Sequence, residues 1–231
     1  MNYHILIDYD NLTIYQKRKG LLFNIEAITS NLKLSNIGSK NLIVRLYGGW
    51  YENDRATRLA QDLTAEIKAN FPQKVNLGDR NQVIANVELA NSLIIKPQTL
   101  LYHTYRKRGT PSGLGCDHPV KVACFSVTCP LIQVYDFLNL NKCSECKYVR
   151  PEQVLFRSEQ KLVDSMITAD MIYLSQTQNN MSIVSSDDDF WPAILTAITL
   201  GSSVIQFHTH GTGTNILYSQ TIKSNYLQKF L

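Results

Sequence analysis

His4-Ile5-Leu6-Ile7-Asp8-Tyr9-Asp10-Asn11 decides the fold, because an apolar run stops there abruptly at two aspartates. A run this short and this apolar reads as a buried strand, and the residues from Asp8 onward read as the loop at its carboxyl end. Working outward, Asn41–Tyr47 (NLIVRLY) repeats the pattern and ends at Gly48-Gly49. Ile183-Val184-Ser185 repeats it again ahead of Asp187-Asp188-Asp189, and Ser203–Phe207 does so once more. Helical spacing fills the intervals. Asn24 to about Leu34 carries Ile25, Ile28 and Leu32, and Asp54–Ala69 opens with a capping aspartate ahead of Leu59, Leu63 and Ile67. Ser158 is expected to cap a helix running to about Gln176, with Leu162, Val163, Met166, Ile167, Met171 and Leu174 on its apolar side, and Phe190–Leu200 is a further helix. Strands alternating with helices predict an α/β fold, a sandwich whose central, mostly parallel sheet is covered on both faces. The middle is less regular. Val83–Ile95 and Leu100–Tyr105 hold strand-like stretches, Gly109–Gly115 is a loop, and about 116–150 is expected to be an insertion into one domain spanning 1–231.

The 231 residues suffice for one large domain with its own core. Hydrophobic residues at 44% against 18% charged exclude a disordered chain. A formal charge of +4 does not by itself argue for a nucleic-acid partner. Met1–Asn11 lacks the basic region and cleavage site of a secretory signal, and no apolar stretch nears the roughly 18 residues of a membrane span. A cytoplasmic protein with no membrane partner is expected. Its five cysteines, Cys116, Cys124, Cys129, Cys143 and Cys146, are then thiols or metal ligands rather than disulfides.

In a parallel α/β sheet, function gathers where strands end. Asp8 follows the first strand at that edge, and Asp187-Asp188-Asp189 follows the Ile183 strand in the same way. A third contribution comes from Lys161-Leu162-Val163-Asp164, where Lys161, Asp164 and Thr168 share one helix face; Asp170 lies off that face. An aspartate after a strand also serves as a cap or turn former. Three separate segments fitting one rim favour a shared site. Carboxylates held this close need a cation, and hard oxygen ligands select Mg²⁺ or Mn²⁺. Such a site suits phosphodiester hydrolysis without a covalent nucleophile.

These residues resemble a known family. Ile7-Asp8-Tyr9-Asp10-Asn11-Leu12 is similar to the opening of NYN domains, the branch of PIN-like nucleases that includes the bacterial LabA-like proteins. Lys161-Leu162-Val163-Asp164 with Asp170-Met171-Ile172 resembles that family's acidic helix. Ile183-Val184-Ser185-Ser186-Asp187-Asp188-Asp189-Phe190, with Pro192, resembles its "VSGDSDF" signature. Ser186 stands where the family usually has Gly. The resemblance implies a PIN-like three-layer sandwich and a divalent-metal endoribonuclease. It implies Asp8, Asp164, Asp187 and Asp189 as metal-binding acids, Asn11 as the residue orienting a ligand or phosphate, and Lys161 as a phosphate neutraliser.

Cys143-Ser144-Glu145-Cys146 has the spacing of a zinc knuckle. Cys124 and Cys129 form a second pair, with Cys116 and His118 in reserve, so structural Zn²⁺ is one expectation and buried thiols the other. Arg106-Lys107-Arg108, beside Tyr105, and Lys17-Arg18-Lys19 are the basic candidates for holding a nucleic-acid backbone, or else solvated surface. His208-Thr209-His210 follows the last strand near the same rim, and the Gly-Thr-Gly-Thr run after it lacks the Walker pattern. The expected function is therefore a metal-dependent endoribonuclease with RNA as its partner. The alternatives are a non-catalytic RNA-binding or regulatory module of the same fold, or a flap-type DNA nuclease, although no helix-hairpin-helix element accompanies the acids. Whether a second copy or another protein binds is not legible in the sequence.

Overall fold

A computed structural model describes residues 2–102, 104–109, 114–160, 162–177, 179–210 and 225–231, with the backbone alone at 106–109 and 157–160. The chain divides into two compact units, one formed by Met1–Thr104 with Gln160–Leu231 and the other by Tyr105–Glu159.

The first unit opens with β1 (Tyr3–Asp8), buried along its whole length. Thr13 and Gln16 cap α1 (Ile14–Lys19) reciprocally, which satisfies two free N–H groups at once. Gly20, at a φ of 84° that favours glycine, then turns the chain into α2 (Leu21–Thr29). A short α3 (Leu34–Ile37) leads to β2 (Asn41–Tyr47). Two-residue strands β3 (Tyr51–Glu52) and β4 (Arg55–Ala56) make a small hairpin before α4 (Arg58–Asn70), β5 (Gln73–Asn76) and β6 (Gln82–Leu89). The second unit contributes β7 (Tyr105–Gly109), a 3₁₀ turn at Pro119–Val122, α5 (Pro130–Asn139), α6 (Pro151–Val154) and β8 (Phe156–Gln160). The chain returns to the first unit with α7 (Val163–Gln176), β9 (Met181–Val184), α8 (Trp191–Thr199), β10 (Val204–His208) and β11 (Tyr226–Phe230).

Among the described residues seven strands form one sheet in the order β11-β10-β9-β1-β2-β6-β5, parallel throughout except for β5. Side chains alternate across it. Tyr3, Ile5 and Ile7 pack with Ile25 and Ile28 of α2 and Leu63 of α4, while Leu6 packs with Met166 and Ile167 of α7 and Ile194 of α8. Each such side chain contributes about 1.5–3 kcal/mol by leaving water. The protein is thus α/β, with a large, mostly parallel sheet flanked by helices. From β1 the chain winds out through β2 to β6, then returns on the other side through β9 to β10. The strand order therefore reverses between β1 and β9, and at such a reversal the connecting segments diverge and leave a crevice at the carboxyl ends.

Some expected boundaries move. Asp54 lies in the turn between β3 and β4, so Thr57, not Asp54, caps α4. The chain around Ser158 is strand β8, neighbouring β7, because sheet pairing overrides the local helix signals there; α7 starts only at Val163. The run from Asn24 belongs to α2, which begins earlier at Leu21 and ends at Thr29. The strand expected at Leu100–Tyr105 starts only at Tyr105. Among the described residues no helix is long and apolar enough to cross a membrane.

Candidate active site at the carboxyl edge of the sheet

Asp8 is the last residue of β1 and is 6% exposed. Its carboxylate accepts the Ser185 hydroxyl at 3.2 Å and, at 3.4 Å, the backbone N–H of Asn11. Ser185 follows β9, and its oxygen also accepts the Asp187 N–H at 3.1 Å, so one hydroxyl couples the two strand ends. Asp187 accepts the Asp189 N–H at 3.0 Å and thereby caps the 3₁₀ turn Asp188–Phe190 that leads into α8. Asp164 sits in the first turn of α7, where the helix dipole favours an acid. Leu162, just before it, takes left-handed backbone at φ 70°, an uncommon conformation for a leucine.

These acids feel one another. Burial pushes Asp8 up to about 6, offset in part by the Ser185 bond and raised further by the Asp164 and Asp10 charges. Burial also raises Asp164, and Asp187, Asp189 and Asp10 add to it. Asp10 therefore belongs to the cluster, although the sequence reading left it out. Its own carboxyl is raised by burial and lowered by Lys17, 3.9 Å away, and its Oδ2 is buried without a hydrogen-bond partner among the described residues. The signal for it was present: Asp10 stands two residues after Asp8 in the same loop.

Asn11 is held from both sides. Its Oδ1 accepts the Ser186 backbone N–H at 2.8 Å and the Thr209 hydroxyl at 2.5 Å, and Ser186 Oγ in turn accepts the N–H groups of Thr209 and His210. The orientation of this amide is thereby settled. Its oxygen faces the β9 and β10 ends, leaving the NH₂ as the donor it can offer a ligand. Thr209 leaves β10 at the same edge as Asp8 and Asp187, where the sequence places His208-Thr209-His210, but its contact is with Asn11.

Asp170 is elsewhere. It is fully buried, accepts the Tyr47 hydroxyl at 2.7 Å and the Ile94 N–H at 2.8 Å, and lies 3.7 Å from Arg45. Lys161 lies outside the described residues, as do the side chains of Arg106, Lys107 and Arg108 and the Gly-Thr-Gly-Thr run. Lys17 lies over the Tyr9 ring and bonds the Asp10 carbonyl at 3.0 Å, which brings one cation beside the acids. In the second unit, the thiols of Cys143 and Cys146 face each other, and all five cysteines are free.

Family models, curated proteins and solved structures were all compared with the chain, and none matches.

Among the described residues no three His, Cys, Asp or Glu side chains stand close enough together to clasp a metal ion. The acids at the crevice nevertheless fit a hard divalent cation in donor chemistry. They are all oxygen donors, their charges push up the pKa of Asp8 and of Asp164, and Asp10 keeps a buried, unpartnered oxygen. Drawing them into one coordination sphere requires side-chain rotation.

Proposed function

We propose that the chain is a metal-dependent endoribonuclease whose site is the crevice between the ends of β1 and β9. One observation carries this reading: Asp8, Asp10, Asp164, Asp187 and Asp189 lie within electrostatic reach of one another or of Asp164 where the strand order reverses, with Lys17 the one cation that the shifts register among them. A fold does not gather acids this way for stability, since like charges in a partly buried site cost free energy. A PIN-like nuclease is what the motifs resemble, and a PIN-like sandwich is compatible with this sheet.

A bound Mg²⁺ or Mn²⁺ supplies an activated water and neutralises charge on the phosphate. Asp8, Asp164, Asp187 and Asp189 would hold the ion, with Asp10 as a further oxygen donor. Ser185 keeps the Asp8 and Asp187 segments in register. Asn11 presents its NH₂ to a phosphate oxygen, and Lys17 adds positive charge at the rim. The carboxylates do not read the sugar; RNA follows from the resemblance.

The test is cleavage of single-stranded and structured RNA, with DNA alongside, in Mn²⁺ or Mg²⁺. The wild type is expected to cut RNA only with the ion, and Asp8→Asn and Asp187→Asn to lose at least about 100-fold, the scale of losing a group that stabilises the transition state. RNA bound but never cut would assign the fold to a binding module, and preferential cutting of DNA would move the substrate.

A further inference from the structure

The second unit, Tyr105–Glu159, holds all five cysteines of the chain. It has little else to hold it together. Among its described side chains only Pro119 and Pro151 are buried, and α5 buries none of its residues. Val122, Phe125, Val127 and Tyr148 are 72%, 74%, 91% and 86% exposed. A unit that buries so few side chains has no apolar core to persist on, and small units of this kind are stapled by disulfides or by a metal.

Cys143-Ser144-Glu145-Cys146 lies in a tight turn closed by backbone hydrogen bonds. The Cys143 N–H donates to the Val149 carbonyl at 2.8 Å, and the Lys147 N–H to the Cys143 carbonyl at 3.2 Å. Lys147 takes left-handed backbone at φ 62° directly after the second cysteine. The backbone N–H groups of Val149 and Tyr148 lie beside the sulfur of Cys146, as does the Cys143 thiol. Cys124 and Cys129 flank a turn in which the Cys129 N–H donates to the Ser126 carbonyl at 3.1 Å.

The two remaining candidates are committed elsewhere. His118 Nδ1 accepts the Val120 N–H at 3.3 Å, which places the ring proton on Nε2; a metal-bound histidine instead donates through its second nitrogen. The Cys116 thiol donates to the Asp117 carbonyl at 3.5 Å.

We propose that Cys124, Cys129, Cys143 and Cys146 bind one Zn²⁺ as four thiolates, and that this ion, in place of an apolar core, holds the second unit together. Four soft sulfur donors select Zn²⁺ over the hard ions suited to the acidic crevice, and each thiol gives up its proton to solvent on binding. The two pairs do not yet share a coordination sphere among the described residues, and binding supplies the free energy that brings them together. The proposal is independent of the nuclease reading.

The experiment is metal analysis of the full chain purified without chelator, followed by Co²⁺ titration of the reduced, metal-stripped protein. Stoichiometric zinc is expected, with a thiolate-to-Co²⁺ charge-transfer band saturating at one equivalent. Cys124→Ser, Cys129→Ser, Cys143→Ser and Cys146→Ser should each lose the band, and Cys116→Ser and His118→Gln should keep it. Thiol labelling of the unmutated chain separates ligand loss from misfolding, because four of the five thiols should react only after chelator is added. Absence of zinc together with absence of the band overturns the proposal, as does a band that survives Cys143→Ser or is lost in Cys116→Ser.

Discussion

Asp170 and Asp8 are both buried aspartates, yet they teach opposite lessons. Asp170 is surrounded by what a carboxylate wants: the Tyr47 hydroxyl, the Ile94 N–H and the Arg45 guanidinium, itself 3.2 Å from Glu88 and donating to the Ser92 carbonyl at 2.7 Å. Burial raises its pKa, and each of those three partners lowers it. Asp8 has a hydroxyl and a distant N–H, and otherwise faces more negative charge. An aspartate given its counter-charge ties α7 to β2 and to the segment at Ile94. An aspartate set among aspartates is given no such counter-charge.

The comparison breaks most easily at Asp170. Replacing it with Ala strands Arg45 with only the half-exposed Glu88 as counter-charge and leaves the Tyr47 hydroxyl and the Ile94 N–H without their acceptor, and a loss of about 3–5 kcal/mol is expected in denaturant unfolding. Adding Arg45→Met to Asp170→Ala should recover part of that loss, since the stranded charge is then gone.

Asp8 should behave in the reverse sense. Its folded-state pKa of about 6 lies above the ordinary 3.8, so between those values the native chain holds more protons than the unfolded one. Stability from this group is therefore greatest below pH 4 and is lost as pH rises through 6. Asp8→Asn removes that loss. In the presence of chelator, the variant's stability relative to wild type should improve by up to about 3 kcal/mol between pH 4 and pH 7.5, the worth of the shift. Mn²⁺ at pH 7.5 should raise the melting temperature of the wild type and leave Asp8→Asn little changed. A metal-free Asp8→Asn less stable than wild type at pH 7.5 would place Asp8 with Asp170 as architecture.

The smallest effect is expected at Thr209. Thr209→Val removes one hydroxyl from Asn11 Oδ1 while the Ser186 N–H remains, so stability should fall by about 1 kcal/mol. If Asn11 orients phosphate, cleavage should fall further than stability does, and the KM for RNA should rise with it.

What the sequence reveals here depends on how completely an element is buried. β1, β2, β9 and β10 are buried along nearly their whole length, which leaves predominantly apolar runs that can be read directly. The edge strands β5 and β11 are partly exposed, and QKVN and YLQKF carry no such run; sheet pairing defines them. The same cause hid β8 behind a helix signal at Ser158. At the crevice, the rim shared by Asp8 and Asp187 follows from strands ending on one edge. The inclusion of Asp10 and the clasp of Thr209 on Asn11 depend on side-chain directions within loops, which periodicity does not encode. The sequence set Asp170 apart from Asp164 by its angle on the helix, whereas its partners Arg45, Tyr47 and Ile94 come from distant segments.

The place of β1 at the centre of the sheet has a consequence for how the protein is made. As the chain leaves the ribosome, β1 can pair with β2 and β2 with β6, but the other side of β1 waits until Met181–Val184 has been synthesised. Until then a nascent chain carries an open, apolar strand edge, the kind of surface that chaperones cover and that aggregates when they do not. Asp187 and Asp189 arrive with the strand that closes it. A half-translated chain therefore holds only part of the acidic crevice, and whatever activity the site has is withheld until the sheet is complete.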